Sequence, residues 1–524
     1  MMPELRDSSN HGSGKHTHHC KEYDSYARIF GLETEYGVSV TETDQSCDPG
    51  QVAMMMFAPV LSRSRTTNTY LENGSRLYLD VGSHPEYATA EARDPSDALV
   101  QDLAGESIMR QLVDNAQAQL RKTHGPNATI HLFKNNADSA GHSFGCHENY
   151  LVRRYVSLPA VNHQLLPFLV TRQIFTGAGL VNEHGFEITQ RAMFLEDGVS
   201  SSTTRSRPMV NTRDEPHANP DEFRRLHVIL GDSNRSQWAT IMKLATTHLV
   251  LCVIEDAAKR GIDSGFEACS LSNPSAANQA MSTDLSCHRP VMALENIKLF
   301  RSAQQRFHAN SSTDCDSAFV RYERNVQISN AETVSALEIQ YLYWYIVAQF
   351  IEKHTGEIQA SLPETSCLYV LNEWKHALDA LNDGQIASLS DRVDWIAKHQ
   401  LINQMSKRNP MLSSVQQREI DLNYHDITNG TIYPSLVHHK LMNTLVSDDA
   451  VQQALTRPPA DTRAALRGTF IRCALRTGVS FSCDWTHLKT TVPVHGEAEI
   501  NDPFDYRGDA QYAGLIESMK RSEV

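Results

Sequence analysis

Apolar residues at the start of the ordered-looking chain alternate with a period of two. From Ala27 the sequence reads ARIFGLETEYGVSV, rich in β-branched and aromatic residues and closed by the polar TETDQSCDPG, which predicts a strand followed by a turn. SRLYLDV, residues 75–81, predicts a second strand, and the segment between them carries a helix-like apolar patch, AMMMFAPVL. The period then lengthens: Leu99, Leu103, Ile108 and Leu112 recur at helical spacing behind the start signal Asp94-Pro95-Ser96, predicting a helix from Ser96 to Lys122. Strands are predicted at ATIHLFK and FEITQRAMFL, and a long helix from about Ser236 to Arg260 that stops at RGIDSG. Residues 262–330 are rich in Ser, Asn and Asp and predict loops and short elements. Helical patterns return at Glu332–Thr355 and through the 370s to 400s, and NGTIYPS, from Asn429, makes a turn-rich hinge before a last run of helices and one strand.

Composition narrows the class. The chain has 524 residues with 40% hydrophobic and 21% charged, the profile of a globular protein of several domains. Its net charge of −14 argues against a general nucleic-acid binder that works by neutralising phosphates. The longest apolar run, THLVLCVIE from Thr247 to Glu255, falls short of the roughly 20 residues of a membrane span. Residues 1–26 lack the apolar core of a secretory signal and read as a disordered leader; its His16, His18, His19 and Cys20 are a metal candidate weighed against a chance polar tail. Ten cysteines without a C-x-x-C pair fit reduced thiols, and the expected compartment is the cytoplasm.

Candidate chemistry gathers on the two N-terminal strands. Glu33 and Glu35 share one face of the first, and Arg76, Tyr78 and Asp80 share one face of the second, opposite Leu77, Leu79 and Val81. The next segment, VGSHPEYATAEA, adds Glu86 and Glu91 with Thr89 between them. Five close carboxylates (Glu33, Glu35, Asp80, Glu86, Glu91) on largely apolar strands require divalent cations, and hard oxygen donors favour Mg²⁺. Mg²⁺ beside an arginine is equipment for nucleotide phosphates, and with neither a Walker loop nor a G-x-G-x-x-G the nucleotide would be held by a sheet. Three further segments are candidates for the same cavity: NNADSAGHSFGCHENY with His142, His147 and Glu148; STTRSRPMVNTRDEPH with Arg205, Arg207 and Arg213; and RRLHVILGDSN, whose His227 reads either as a satisfied core residue or as a ligand. Thiol catalysis by Cys146 is disfavoured because Cys146 and His147 point to opposite faces of a strand.

The phrases GLETEYG, NGSRLYLDVGSHPEYATAEA, LFKNNADSAGHSFGCHENYLV, SSTTRSRPMVNTRDEPHA, RRLHVILGDSN and DWTHLK, in this order, resemble the family of ligases that attach the prokaryotic ubiquitin-like protein Pup to target lysines, within the glutamine synthetase-like carboxylate-amine ligases. The resemblance runs from Arg28 to about Tyr506. It implies an α+β fold: a large glutamine synthetase-like domain, residues 27–430, whose curved antiparallel sheet cradles ATP, and a small C-terminal domain, residues 431–524. It implies Mg²⁺ at Glu33, Tyr78 and Glu86, ATP contacts at Arg76, Thr89 and Trp485, and Asp80 as proton acceptor, with His147, Arg205 and His227 as further ligands of metal or phosphate. The implied reaction joins the γ-carboxylate of the C-terminal Glu of Pup to a target lysine through a γ-glutamyl phosphate, marking the target for proteasomal degradation, with no nucleic acid or membrane as partner.

Two other readings share this chemistry: the family's Pup deamidase, disfavoured by the GSHPEYATAE wording and by the short segment between the first two strands, and a small-molecule carboxylate-amine ligase. Against the second, weakly, stand five arginines at 457, 463, 467, 472 and 476 with one acid, Asp461, among them. Arg463 and Arg467, at i and i+4, read either as a solvated helix face or as a cationic wall for the acidic Pup.

Overall fold

The computed structural model describes residues 25–80, 82–138, 141–201, 207–212, 214–310 and 331–522. The leader through residue 24, Val81, Arg205, Arg213 and residues 311–330 lie outside the described residues. An eight-stranded sheet organises the larger part. In chain order its strands are β1 (Phe30–Glu35), β2 (Asn68–Tyr70), β3 (Arg76–Leu79), β4 (Pro85–Ala88), β5 (Cys146–Arg153), β6 (Asp197–Ser200), β7 (Pro208–Asn211) and β8 (Phe223–Val228). In space they run β6, β7, β8, β5, β1, β4, β3, β2, antiparallel at every pair except β6 with β7. Mixed helices beside an antiparallel-dominated sheet make the fold α+β.

Alternation along the strands separates a core face from a polar one. Phe30 and Leu32 of β1 join Tyr150 and Val152 of β5 and Leu226 and Val228 of β8 in the main core, while Gly31, Glu33 and Glu35 point the other way and are half-buried. Helices α1 (Pro95–His124), α2 (Gln237–Arg260), α3 (Ala336–Ser361) and α4 (Cys367–Asn382) back that core. Their starts are built as the sequence signals require. Asp94 accepts the Ser96 N–H at 2.8 Å with Pro95 in the first turn, Ser236 caps α2, and Ser335 with Glu338 forms a reciprocal capping box on α3. Trp238, Trp344 and Trp374 fill the helical layer, each such side chain contributing about 1.5–3 kcal/mol by leaving water. Among the described residues α2 alone has the length and hydropathy of a membrane span, although the apolar run within it is short, and it is enclosed by the core. A second core lies under β3 and β4, where α1 crosses so closely that a Cβ on Gly105 would sit 2.4 Å from the Tyr87 ring.

Four segments depart from the sequence reading. The first predicted strand breaks at Tyr36 into Phe30–Glu35 and Gly37–Thr41, the latter pairing with Thr129–Phe133 in a sheet of its own. The one strand expected after Asn429 is three, Ser480–Cys483, His487–Val492 and Gly496–Glu499. FEITQRAMFL forms a strand only at Gly185–Glu187, then a turn and a 3₁₀ turn at Ala192–Phe194. The buried Asp232 carboxylate takes the Gln190 N–H (3.0 Å) and the Ala178 N–H (2.8 Å), donors that a neighbouring strand would otherwise have to satisfy. Residues 262–310 hold real helices, Pro274–Ser282, capped by Asn273, and Ile297–Asn310.

Residues Ile432 to Met442 pack with Ala397 and Tyr424 of the larger body. A separate core then gathers Leu466 through Met519 from α5 (Ala464–Thr477), β9 (Ser480–Cys483), β10 (His487–Val492), β11 (Gly496–Glu499) and α6 (Ala510–Arg521). The turn joining β9 to β10 is pinned by Asp484, whose carboxylate accepts the Thr486 and His487 N–H groups at 2.8 Å, and it carries Trp485 back toward the main sheet. All eight described cysteines are free thiols.

Candidate active site on the polar face of the sheet

Strand register assembles the polar face in rows. Tyr78 on β3 lies opposite Glu86 on β4, and Glu86 lies opposite Glu35 on β1. The next row is Arg76, Ala88, Glu33 and His147; the next is Gly31, Asn149 and His227; the last pairs Leu151 with Arg225. Residues separated by as much as 118 positions in sequence, as Gly31 and Asn149 are, thus become neighbours only through pairing, as cross-strand partners sit about 5 Å apart.

Two groups of ligand atoms result. Glu33, His147 and His227 bring one ligand atom each within 4.8 Å of one another, and so do Glu35, Asp80 and Glu86. In the first group Asn149 is the organiser: its amide donates to Glu33 Oε1 at 3.1 Å, and its carbonyl oxygen faces His227 Nδ1 at 2.9 Å and Arg225 at 2.9 Å. A carbonyl only accepts, so the Nδ1–H tautomer of His227 is the one that bonds here, leaving the Nε2 lone pair free to ligate. Burial, above all, pushes His227 down to about 3, so the ring is neutral at physiological pH. Burial opposes ionisation of Glu33, but His227, the His147 hydrogen bond and Arg225 outweigh it and hold this carboxyl well below the usual range.

The second group is uncompensated. Burial, then the negative charges of Glu33, Glu35 and Asp80, push Glu86 well above the carboxylate range, although it accepts a short hydrogen bond from the Tyr78 hydroxyl. Burial and the Glu33 and Glu86 charges likewise push the Tyr78 phenol up. Asp80 follows β3 directly, in a turn where its N–H donates to His84 O at 3.0 Å. Gly145 makes room for both groups, since a Cβ there would lie 2.2 Å from His147 Nε2 and 2.8 Å from Glu35 Oε1.

Farther along the strands a cavity opens over Gly31, Glu33, Ala88, Thr89 and Asn149 and is walled by His217, Arg225 and Trp485. Thr89 is buried and its hydroxyl accepts the Leu32 N–H at 3.0 Å. Arg76, one row nearer the cavity than Tyr78, stacks on the Tyr78 ring at 4.1 Å and donates to Asn68 at 2.8 Å, which holds its guanidinium beside the carboxylate row.

Nine of the ten site residues that the resemblance implies (Glu33, Arg76, Tyr78, Asp80, Glu86, Thr89, His147, His227, Trp485) therefore converge on one face; Arg205 lies outside the described residues. Other expectations are corrected. Glu91 needs no metal: buried, it is held at about 2 because Arg467 and then Arg463 outweigh the cost of burial. The same contacts remove Arg463 and Arg467 from any outer wall, since both are buried, binding Glu91 and the carbonyls of Gly74, Trp485 and His217. Glu148 turns to the core face and pairs with Arg172, and His142 is exposed beside Asp138. Cys146 points inward, 3.8 Å from Lys243. Asn149 and Arg225 were overlooked, although each stands two residues from a flagged histidine and so shares its face.

Comparison with known proteins agrees with this geometry. The profile of the family described as Pup-ligase protein matches residues 28–315 and 310–489. The Pup–protein ligase of Bifidobacterium longum (strain DJO10A) is 52% identical over 524 residues, covering 99% of this chain and all of its own. That of Bifidobacterium dentium is 52% identical over 520 residues, with the same coverage. Among solved structures, the complex between Pup and its ligase PafA superimposes with a TM-score of 0.79 at 32% identity, over 95% of this chain and 92% of that one. PafA in complex with ADP gives 0.73 at 33% identity, over 92% and 96%. With profile, full-length relatives and fold in agreement, this chain belongs to the Pup-ligase family.

Proposed function

We propose that this chain is an ATP-dependent ligase that joins the γ-carboxylate of the C-terminal Glu of Pup to the ε-amino group of a lysine on a target protein, in the cytoplasm, marking that protein for proteasomal degradation. The observation that carries the reading is the order of groups along the sheet: an aromatic-walled cavity at Trp485 and Thr89, then Arg76, then the carboxylates, then Asp80. ATP laid along that axis has its base and ribose at Trp485 and Thr89, its phosphates at Arg76 and its γ-phosphorus near Asp80. In this division residues 27–430 bear the sheet and residues 431–524 supply Trp485.

The donor set suits Mg²⁺. Carboxylate and phenol oxygens with imidazole nitrogens are hard to borderline ligands, and the raised Glu86 marks negative charge that a divalent cation would offset. Glu33, Tyr78 and Glu86 would hold it, with His147 and His227 as further ligands. Bound Mg²⁺ supplies charge neutralisation at the phosphates. Arg76 contributes a fixed positive charge beside the transferring phosphoryl group. The Pup carboxylate oxygen attacks the γ-phosphorus, ADP leaves, and an acyl phosphate forms. A lysine is protonated at neutral pH, so Asp80 takes its proton; the freed amine attacks the acyl carbon and phosphate departs.

The test is conjugation itself. With ATP, Mg²⁺, Pup ending in Glu and a lysine-bearing target, mass spectrometry is expected to show an isopeptide adduct equal to the sum of the two less one water. Absence of the adduct together with ammonia release from Pup ending in Gln would replace this reading by the deamidase.

A further inference from the structure

The loop between β7 and β8 brings His217 to the rim of the cavity beneath Trp485, in a way the ligase chemistry so far has not used. It is strapped down from both sides. Asp214 pairs with Arg154 and, at 3.5 Å, with Arg224, and Arg225 donates to Glu215 O at 3.1 Å. From the C-terminal unit, the buried Arg463 donates to His217 O. Between these fixings His217 takes φ of 47°, a left-handed conformation that non-glycine residues adopt rarely and keep only where surroundings hold them. The conformation aims the half-buried ring into the cavity, with its centroid 6.3 Å from that of Trp485 and the planes inclined by 40°.

We propose that His217 is a nucleotide-binding residue, and that the imidazole and the Trp485 indole form the two walls of a slot for the base of ATP. The two rings now stand as a tilted pair at contact distance, so a base enters by turning them parallel and spreading them to about 7 Å, twice the usual stacking distance of about 3.4 Å. The floor is bare of side chains where the base would enter: Gly31 lies between Thr89 and Asn149, with each 3.8 Å from where its Cβ would be. Burial, then the charges of Arg225 and Arg463, keep the imidazole below its ordinary range, so a neutral ring faces the base. Stacking on two such rings recognises the planar face of the base rather than its identity.

The inference rests on the reading that this cavity takes the nucleotide, and the test separates the two. The ATP dependence of conjugation is measured for the wild type, His217→Ala, His217→Phe and Trp485→Ala. Loss of one stacking ring weakens base binding roughly ten- to hundred-fold, so His217→Ala is expected to raise KM for ATP by about that factor with kcat within about twofold, and His217→Phe to restore KM. If Trp485→Ala raises KM and His217→Ala leaves it unchanged, or if phenylalanine fails to restore a KM that alanine raised, the second wall is refuted. If neither alanine variant changes KM, the nucleotide assignment of the cavity falls with it.

Discussion

Replacing Glu91 by Gln tests how the C-terminal unit is fastened over the nucleotide cavity. The carboxylate binds Arg463 Nε at 2.7 Å and both terminal nitrogens of Arg467, and all three side chains are buried. The same arginines hold Trp485 O (3.1 Å), Gly74 O (3.0 Å) and His217 O, and the Arg467 guanidinium lies 4.9 Å from the Trp485 ring. Lowering Glu91 from an ordinary 4.5 to about 2 corresponds to roughly 3 kcal/mol at neutral pH. Removing one partner from a buried ion cluster costs about 3–5 kcal/mol by a separate route, so both point to the same size. Because the folded value is depressed, this stabilisation is complete above pH 4.5 and fades as pH falls toward 2. Urea unfolding followed by tryptophan fluorescence should show Glu91→Gln less stable by about 3 kcal/mol at pH 7, with the gap closing through that acid window. KM for ATP should rise as Trp485 loosens. A variant within about 1 kcal/mol of the wild type at pH 7, or a gap that does not close in acid, would refute the clamp.

The other expectations concern the carboxylate end. Asp80→Asn should leave ATP affinity within about threefold, measured by calorimetry, while conjugation falls by orders of magnitude, because the lysine loses its proton acceptor. His227→Ala should weaken Mn²⁺ binding, read by electron paramagnetic resonance, by about ten- to a hundred-fold, whereas the exposed His142→Ala should leave it unchanged. Gly145→Ala forces His147 and Glu35 aside by its 2.2 and 2.8 Å approaches to their side chains, so divalent-ion affinity should drop at least tenfold while the melting temperature moves by only a few degrees.

What the sequence could reveal was set by how local each relation is. A period of two sorts the faces of one strand, which is why Glu33 with Glu35, and Arg76 with Tyr78 and Asp80, were legible before any pairing was known. Helices α1, α2 and α3 were equally legible, because capping residues and apolar spacing are contained within each. Register is different: that Glu33 meets His147, and Asn149 meets His227, depends on pairing between strands more than 70 residues apart. Glu91 was misplaced for a related reason. It lies three residues beyond the end of β4, where the alternation of that strand no longer assigns a face, and its partners are arginines that arrive more than 370 residues later. The i, i+4 spacing correctly put Arg463 and Arg467 together, but nothing local says that a polar helix face is turned inward onto a buried carboxylate. The 185–195 segment has strand-like composition and lost its strand to the distant Asp232.

The central claim is that this chain activates the C-terminal carboxylate of Pup with ATP before any amine attacks. Hydroxylamine in place of the target lysine traps such an acyl phosphate as a hydroxamate. With ATP, Mg²⁺ and Pup ending in Glu, the expected product is Pup carrying one γ-glutamyl hydroxamate, with one ADP and one phosphate released for each. ATP binding without hydroxamate or ADP would contradict the activation step, and with it the role given to the polar face of the sheet.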